Sequence, residues 1–146
     1  MFYTVDKITC IDCVTFGGPP VSRPAILRPT TKAKLFISFI NEGDPAPLAQ
    51  ESYMRSLVEA WTRPVTTEEW AIPPPFYIPS GDQVVLRGET DENDELKRIL
   101  PLRVDPKELE AVVFGDIAMH SMSHYVKRIQ MILQQPQSPQ NPFEDQ

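Results

Sequence analysis

An aspartate that follows an apolar run is the first residue of this sequence placed to do chemistry. The run at residues 35–40 is closed by turn residues, which is typical of a strand buried on both faces of a sheet. Asp44 comes shortly after it, between Gly43 and Pro45. The active and binding sites of parallel α/β sheets usually lie just beyond the carboxyl ends of such strands. Two roles therefore stay open for Asp44: a carboxylate that caps its own loop, or one that works in a catalytic site.

The other candidate groups are His120 and His124, the two histidines of the chain. They fall on one face of a predicted helix, at a spacing that can bind zinc when further ligands are present. The segment between them holds no glutamate and no third ligand stands out, so the sequence favours an acid–base role. An aspartate after one strand and a histidine after a later strand occur in the order of the second and third members of an α/β-hydrolase triad.

The elements that must position these residues alternate between short strands and helices. Strands are predicted at residues 7–16, 35–40, 83–87 and 109–114, with 99–104 as a candidate extra strand, and helices at 48–61 and 119–133. This alternation predicts an α/β sheet. So few elements cannot cover both faces of a parallel sheet, so residues 1–133 are interpreted as an incomplete domain. The Gln- and Pro-rich residues 134–146 are predicted to be a disordered tail.

The two cysteines, Cys10 and Cys13, have the C-x-x-C spacing of some redox and metal sites. On a strand, positions three apart face opposite sides of the sheet, so the two sulfur atoms would diverge. A zinc site would also need two more ligands nearby. We therefore predict two buried, unreactive thiols.

The composition argues against several classes of function. The 146 residues carry a net charge of −6, whereas nucleic acids and anionic membrane surfaces both require a basic face. No apolar run approaches the ~20 residues needed to cross a bilayer. No basic segment followed by an apolar stretch marks the amino terminus as a secretion signal.

Three segments, in this order, resemble the fungal-type class 3 lipases, a family of α/β-hydrolases. Residues 14–21 look like the strand and turn that follow the family's nucleophile helix. Residues 39–47 resemble its aspartate segment, and residues 112–116 with Met119, His120 and Tyr125 resemble its closing histidine segment. The similarity extends from about Ile8 to Ile129. It implies a partial α/β-hydrolase sheet, built from the carboxyl-terminal strands with flanking helices.

The resemblance also implies roles for individual residues. Asp44 becomes the triad acid and His120 the triad base, with His120 preferred over His124 because it lies nearer the loop after the predicted strand at 109–114. The implied reaction is hydrolysis of carboxylic esters of lipids, or of other esters, without a metal ion or organic cofactor. A loop cap at Asp44 and a polar helix-start residue at His120 are the non-catalytic alternatives. In a working pair the two side chains should lie within hydrogen-bond reach, about 2.6–3.2 Å, or somewhat further apart without the missing part of the fold.

One part of the family pattern is missing, namely the G-x-S-x-G nucleophile elbow, since no two of the six glycines are four residues apart. We therefore expect the carboxyl-terminal part of a longer fold, inactive by itself, with the missing amino-terminal half or another protein as a partner. The alternative is a non-catalytic, lipase-like remnant that serves as a protein-interaction module. The cysteines favour the cytoplasm, while secretion stays open because the resemblance implies a missing amino-terminal part.

Overall fold

A computed structural model describes residues 11–26, 33–62 and 73–136 of the chain. The elements of this part are, in order, β1 (Ile11–Phe16), β2 (Ala33–Asn41), α1 (Glu51–Thr62), β3 (Asp82–Thr90), β4 (Leu96–Val104), α2 (Pro106–Glu110) and α3 (Met122–Gln134). Two 3₁₀ turns, Ala46–Leu48 and Ile117–His120, precede α1 and α3. Within the described ranges, no helix combines the length and apolar character required to span a membrane.

The strands form one four-stranded sheet in the order β1-β2-β3-β4. β1 runs parallel to β2, and β2 parallel to β3, so the carboxyl ends of these strands lie at the same edge of the sheet. β4 returns antiparallel to β3 along its whole length. The sheet is therefore mixed, with helices packed on it, and the α/β class predicted from the sequence is confirmed at this level.

Helices pack on both faces of the sheet because neighbouring residues of a strand point to opposite sides. Val85 of β3 packs in a cluster with Leu57 of α1 on one face. Its neighbours Val84 and Leu86 pack with Tyr125 of α3 on the other. The cluster on the α1 face is completed by Ile40, Leu48, Tyr53, Leu109 and Phe114. Each face of the sheet is thus closed by apolar side chains together with one buried tyrosine.

The prediction of a strand at residues 109–114 is wrong, since α2 and irregular backbone occupy this stretch. Asp105 starts α2 by accepting a backbone N–H of its first turn at 2.8 Å, and the Glu108 carboxylate accepts the Asp105 N–H at 2.9 Å. Such a reciprocal capping box fixes a helix start. Leu109 and Phe114 are both buried, so the apolar run fills the core without forming a strand.

The other predicted elements are present with shifted boundaries. The strands predicted at 35–40, 83–87 and 99–104 each lie within a longer strand. The helix predicted at 48–61 begins at Glu51, and the helix predicted at 119–133 begins at Met122, each after a 3₁₀ turn. α3 ends at Gln134, the first residue of the predicted tail, and residues 137–146 lie outside the described ranges.

β1, the described part of the strand predicted at residues 7–16, is an outer strand and not a buried one. Among the described residues only β2 pairs with it, and Val14 and Phe16 remain 43% and 36% exposed. The prediction of a buried thiol is wrong for Cys13, which is exposed for the same reason. Cys10 and the start of the predicted strand lie outside the described residues.

Candidate active site

Asp44 lies just beyond the end of β2 and is completely buried. The chain turns before it at Gly43, whose φ of +97° is a conformation that favours glycine. The Asp44 Oδ1 accepts the backbone N–H of Ala46 at 2.8 Å, as expected of an aspartate that caps its own loop. This cap occupies only one of the two carboxylate oxygens, so it does not exclude a second role for Oδ2.

His120 is one partner of that second oxygen. The distance from its Nδ1 to Asp44 Oδ2 is 3.1 Å, within the range expected from the sequence. An ionised carboxylate only accepts hydrogen bonds, so this geometry assigns the ring proton to Nδ1 and leaves the lone pair on Nε2. The His120 side chain is 51% exposed, whereas that of Asp44 is 0% exposed. The imidazole is thus held from the protein side and is accessible from outside.

The short turn that ends at His120 is tied to the end of β2. Asp116 caps this turn by accepting a backbone N–H at 3.0 Å, and its own N–H donates to the Gly43 carbonyl at 3.0 Å. The side-chain amide of Asn41 donates to the Met119 carbonyl at 2.8 Å. Hydrogen bonds at two points therefore set the position of His120 relative to Asp44.

Tyr125 is the other partner of Asp44 Oδ2; the resemblance placed it in the histidine segment but implied no role for it. Its hydroxyl donates to that oxygen at 2.5 Å and accepts the backbone N–H of Asn41 at 3.0 Å. Burial raises the pKa of Tyr125, and the hydrogen bond to Asp44 raises it further, so the phenol stays neutral. A tyrosine on the buried side of a predicted helix was the available signal, since a buried hydroxyl needs a partner.

Arg128, one turn further along α3, anchors the helix to β3. Its guanidinium donates to the Leu86 carbonyl at 2.6 Å and to the Met119 sulfur at 3.4 Å. Burial lowers the pKa of Arg128, while the nearby Glu42, Tyr125 and Asp116 act in the opposite direction. The residue before His120 is therefore supported by α3 as well as by β2.

Gly17 follows β1 directly and packs against the cluster of Asp44, His120 and Tyr125. Its φ is +57°, and its N–H donates to the Phe39 carbonyl at 2.9 Å. A Cβ atom at this position would lie 2.8 Å from the Tyr125 hydroxyl and 2.9 Å from the His120 Nδ1. The ring of Phe16 packs edge-on against that of Tyr125 at 5.6 Å. Any side chain at position 17 would take the space that Asp44, His120 and Tyr125 occupy, so glycine is required here.

His124 does not share a helix face with His120, which corrects that prediction. His120 ends the 3₁₀ turn, whereas His124 lies in the first turn of α3. The His124 Nδ1 lies 2.8 Å from the Ala118 carbonyl. In the part of the chain that the structure describes, no group of three or more His, Cys, Asp or Glu side chains is arranged to hold a metal ion.

A groove of about 720 Å³ lies between α1 and the segment around Phe76 and Tyr77. Gln50 fixes this segment by accepting the N–H groups of Phe76 and Tyr77 at 2.6 and 2.8 Å. Among the described residues, the lining includes neither Asp44 nor His120, and no histidine or cysteine. The chemically distinctive cluster is therefore elsewhere, at the carboxyl end of β2.

No family model matches this chain, and no curated protein or solved structure matches it either. The chemistry of the site therefore has to be inferred from the geometry of its own residues.

Proposed function

We propose that Asp44 and His120 are the acid and base of a serine-hydrolase triad that acts on carboxylic esters of lipids. In this proposal the chain is the carboxyl-terminal part of a lipase-like α/β-hydrolase. The main support is the 3.1 Å contact between His120 Nδ1 and Asp44 Oδ2. It joins a fully buried carboxylate beyond a parallel strand to a half-exposed imidazole 76 residues later in the sequence.

In this mechanism His120 acts through Nε2, the nitrogen that the carboxylate leaves free. Nε2 takes the proton of a serine hydroxyl as its oxygen attacks the ester carbonyl carbon, and then delivers that proton to the leaving alcohol. A water molecule then attacks the carbonyl carbon of the acyl-serine. Nε2 takes a proton from this water and returns it to the serine oxygen as the carboxylic acid leaves. Asp44 holds the Nδ1 proton in place and stabilises the imidazolium that forms. These steps need no metal ion or organic cofactor.

The serine would be supplied by a segment outside the printed sequence, which has no G-x-S-x-G elbow. The two outer strands of the sheet, β1 and β4, differ in how well they could pair with this segment. β4 carries Pro101, which has no N–H to offer a further strand. β1 has only β2 as a neighbour in the described ranges, and its carboxyl end reaches Gly17. A parallel strand on that edge would end about 4.8 Å further out, beside the pair.

Reading the coding DNA upstream of Met1 is the first test. We expect an in-frame strand–turn–helix segment that contains G-x-S-x-G. A stop codon directly upstream, with no such segment, would overturn the proposal that this chain belongs to a longer hydrolase.

Kinetics of the longer chain is the second test. It should hydrolyse carboxylic esters, and Asp44→Asn or His120→Gln should each lower kcat/KM by about 10⁴-fold. His124→Gln is the matched control, because the Nδ1 of this imidazole lies against the Ala118 backbone carbonyl rather than a carboxylate. Equal activity of the His120→Gln and His124→Gln variants would contradict the assigned roles.

A non-catalytic protein-interaction module is the second candidate, favoured by apolar side chains exposed beside the β1 edge. Val14, Phe16 and Leu35 are between 36% and 51% exposed. In this case the printed chain should unfold cooperatively, sediment as a monomer and leave short-chain esters uncleaved. Aggregation of the printed chain, relieved in a longer form with the serine segment, would instead favour the hydrolase.

A further inference from the structure

We infer that Tyr125 is a positioning residue for the Asp44–His120 pair, because its hydroxyl fixes the carboxylate oxygen that orients the His120 ring. The inference deepens the proposed function and rests on it for any effect on catalysis. The geometry itself does not depend on that function. Both the Tyr125 hydroxyl and the His120 Nδ1 lie within hydrogen-bond distance of the same oxygen, at 2.5 and 3.1 Å.

The carboxylate of Asp44 is held at both ends by groups other than His120. The backbone N–H of Ala46 binds Oδ1 at 2.8 Å, and the Tyr125 hydroxyl binds Oδ2. Two donors on two oxygens fix the plane of the carboxylate. Without the Tyr125 hydroxyl, the partner left to Oδ2 among the described residues would be His120, the group that it has to orient.

The tyrosine hydroxyl is itself fixed. It accepts the Asn41 N–H at 3.0 Å, which leaves its proton directed at Asp44, and the side chain is 1% exposed. The ring of Phe16 packs against the Tyr125 ring, and Arg128 on the same helix binds the Leu86 carbonyl. A rigid neutral donor of this kind orients a carboxylate without competing for its charge.

Nitrogen-15 NMR of the two histidines in the printed chain tests the inference without an ester or a serine. The spectra are recorded at about pH 8, above the pKa of about 6.5 of a free imidazole. In the wild-type chain we expect His120 as a single tautomer with the proton on Nδ1. In Tyr125→Phe we expect that single tautomer to be lost, with protonation at Nε2 becoming populated. The His124 Nδ1 faces a carbonyl at 2.8 Å, and its tautomer should not change.

Tyr53→Phe is the matched control variant. It removes another buried tyrosine hydroxyl, which bonds the backbone of Phe114 on the opposite face of the sheet. We expect it to leave the His120 tautomer unchanged even though it also costs stability. A folded Tyr125→Phe chain in which His120 keeps its single Nδ1–H tautomer would overturn the inference.

A second measurement keeps Tyr125 intact, in case Tyr125→Phe does not fold. His120→Gln removes the half-exposed ring that shares Oδ2, so the chemical shift of the Tyr125 hydroxyl proton should change. His124→Gln should leave this resonance in place. A Tyr125 hydroxyl resonance that does not move in His120→Gln would show that the two side chains do not share Asp44 Oδ2. Failure of the hydrolase proposal would leave these outcomes as they are.

Discussion

Two buried tyrosines on opposite faces of the sheet show how one structural device takes on different chemistry. The hydroxyl of Tyr53 on α1 donates to the Phe114 carbonyl and accepts the Phe114 N–H, both at 2.9 Å. The hydroxyl of Tyr125 on α3 accepts a backbone N–H in the same way but donates to the carboxylate of Asp44. Both tie a helix to a distant loop. Only the second has an ionisable partner, and only there does a histidine lie alongside.

We expect Gly17→Ala to be the most damaging of the small changes. The added methyl group would crowd the cluster of Asp44, His120 and Tyr125 but not the surroundings of Tyr53. The added Cβ would meet Tyr125 and His120 at under 3 Å, in a backbone conformation that L-residues rarely adopt. We expect the free energy of unfolding to fall by about 2–4 kcal/mol, from overpacking and left-handed strain together. Urea denaturation measures it.

Gly18→Ala is the matched control for that change. Its Cβ would meet nothing closer than Thr15 at 3.5 Å, an ordinary contact, and its φ is not positive. We expect a change of less than about 1 kcal/mol. Similar losses for the two variants would show that crowding at the pair is not what requires glycine at position 17.

Tyr125→Phe and Tyr53→Phe compare the two faces directly. Each leaves a buried N–H and a buried acceptor without the hydroxyl, which costs about 1–3 kcal/mol, and more when the acceptor is charged. We therefore expect a loss of about 2–3 kcal/mol for Tyr125→Phe and about 1–2 kcal/mol for Tyr53→Phe. Chemical denaturation at neutral pH would contradict the comparison if Tyr53→Phe lost more.

Alkaline pH should sharpen the same contrast. Burial raises the pKa of both tyrosines above the ordinary value of 10.0, so folding favours the neutral phenol. That stabilisation is complete below about pH 10 and is lost as the pH rises further, by at most about 1.4 kcal/mol per pH unit for each phenol. Tyr125→Phe should flatten the fall in stability above pH 10 more than Tyr53→Phe. A backbone hydrogen bond lowers the pKa of each phenol, from Asn41 for Tyr125 and from Phe114 for Tyr53, but the hydrogen bond and the charge of Asp44 raise the pKa of Tyr125 further. Parallel curves for the two variants would argue against a special role of the carboxylate.

The smallest effect is expected for a charge pair outside both faces. Arg98 and Glu89 pair at 2.9 Å across the β3–β4 hairpin, with side chains 52% and 45% exposed. Arg98→Ala should cost between about 0 and 1 kcal/mol, since exposed ion pairs contribute little. A larger loss in thermal or urea unfolding would mean that a charge matters here without the burial that distinguishes Asp44.

The position of Asp44 could be predicted because its signal is local, whereas the argument for His120 rested on a strand at 109–114 where the structure has α2 and irregular backbone. A polar residue after an apolar strand of the right length marks the carboxyl edge of a sheet, and the edge brings distant strand ends together. The exposure of β1 could not be predicted in this way, because it depends on which strands lie beside it rather than on its own residues.

Two misses have different physical causes. The apolar run at 109–114 fits a strand or a helix, and its length alone did not decide between them. The capping box at Asp105 and Glu108 was the local signal that decides it. The role of Tyr125 depends on how α3 is rotated against β2, which no short stretch of sequence specifies. Its burial could be expected, but its partner could not.

The hydrogen bonds that assemble the cluster span 76 to 84 residues of the chain. Closing loops of this length costs chain entropy, which the contacts of the docked last helix help to offset. The loop cap of Asp44 closes over two residues and does not need His120 or Tyr125. A polypeptide that stops short of Ile117 would contain the acid and its strand but neither side chain that completes the cluster, so the pair is a marker of a fully folded carboxyl-terminal region.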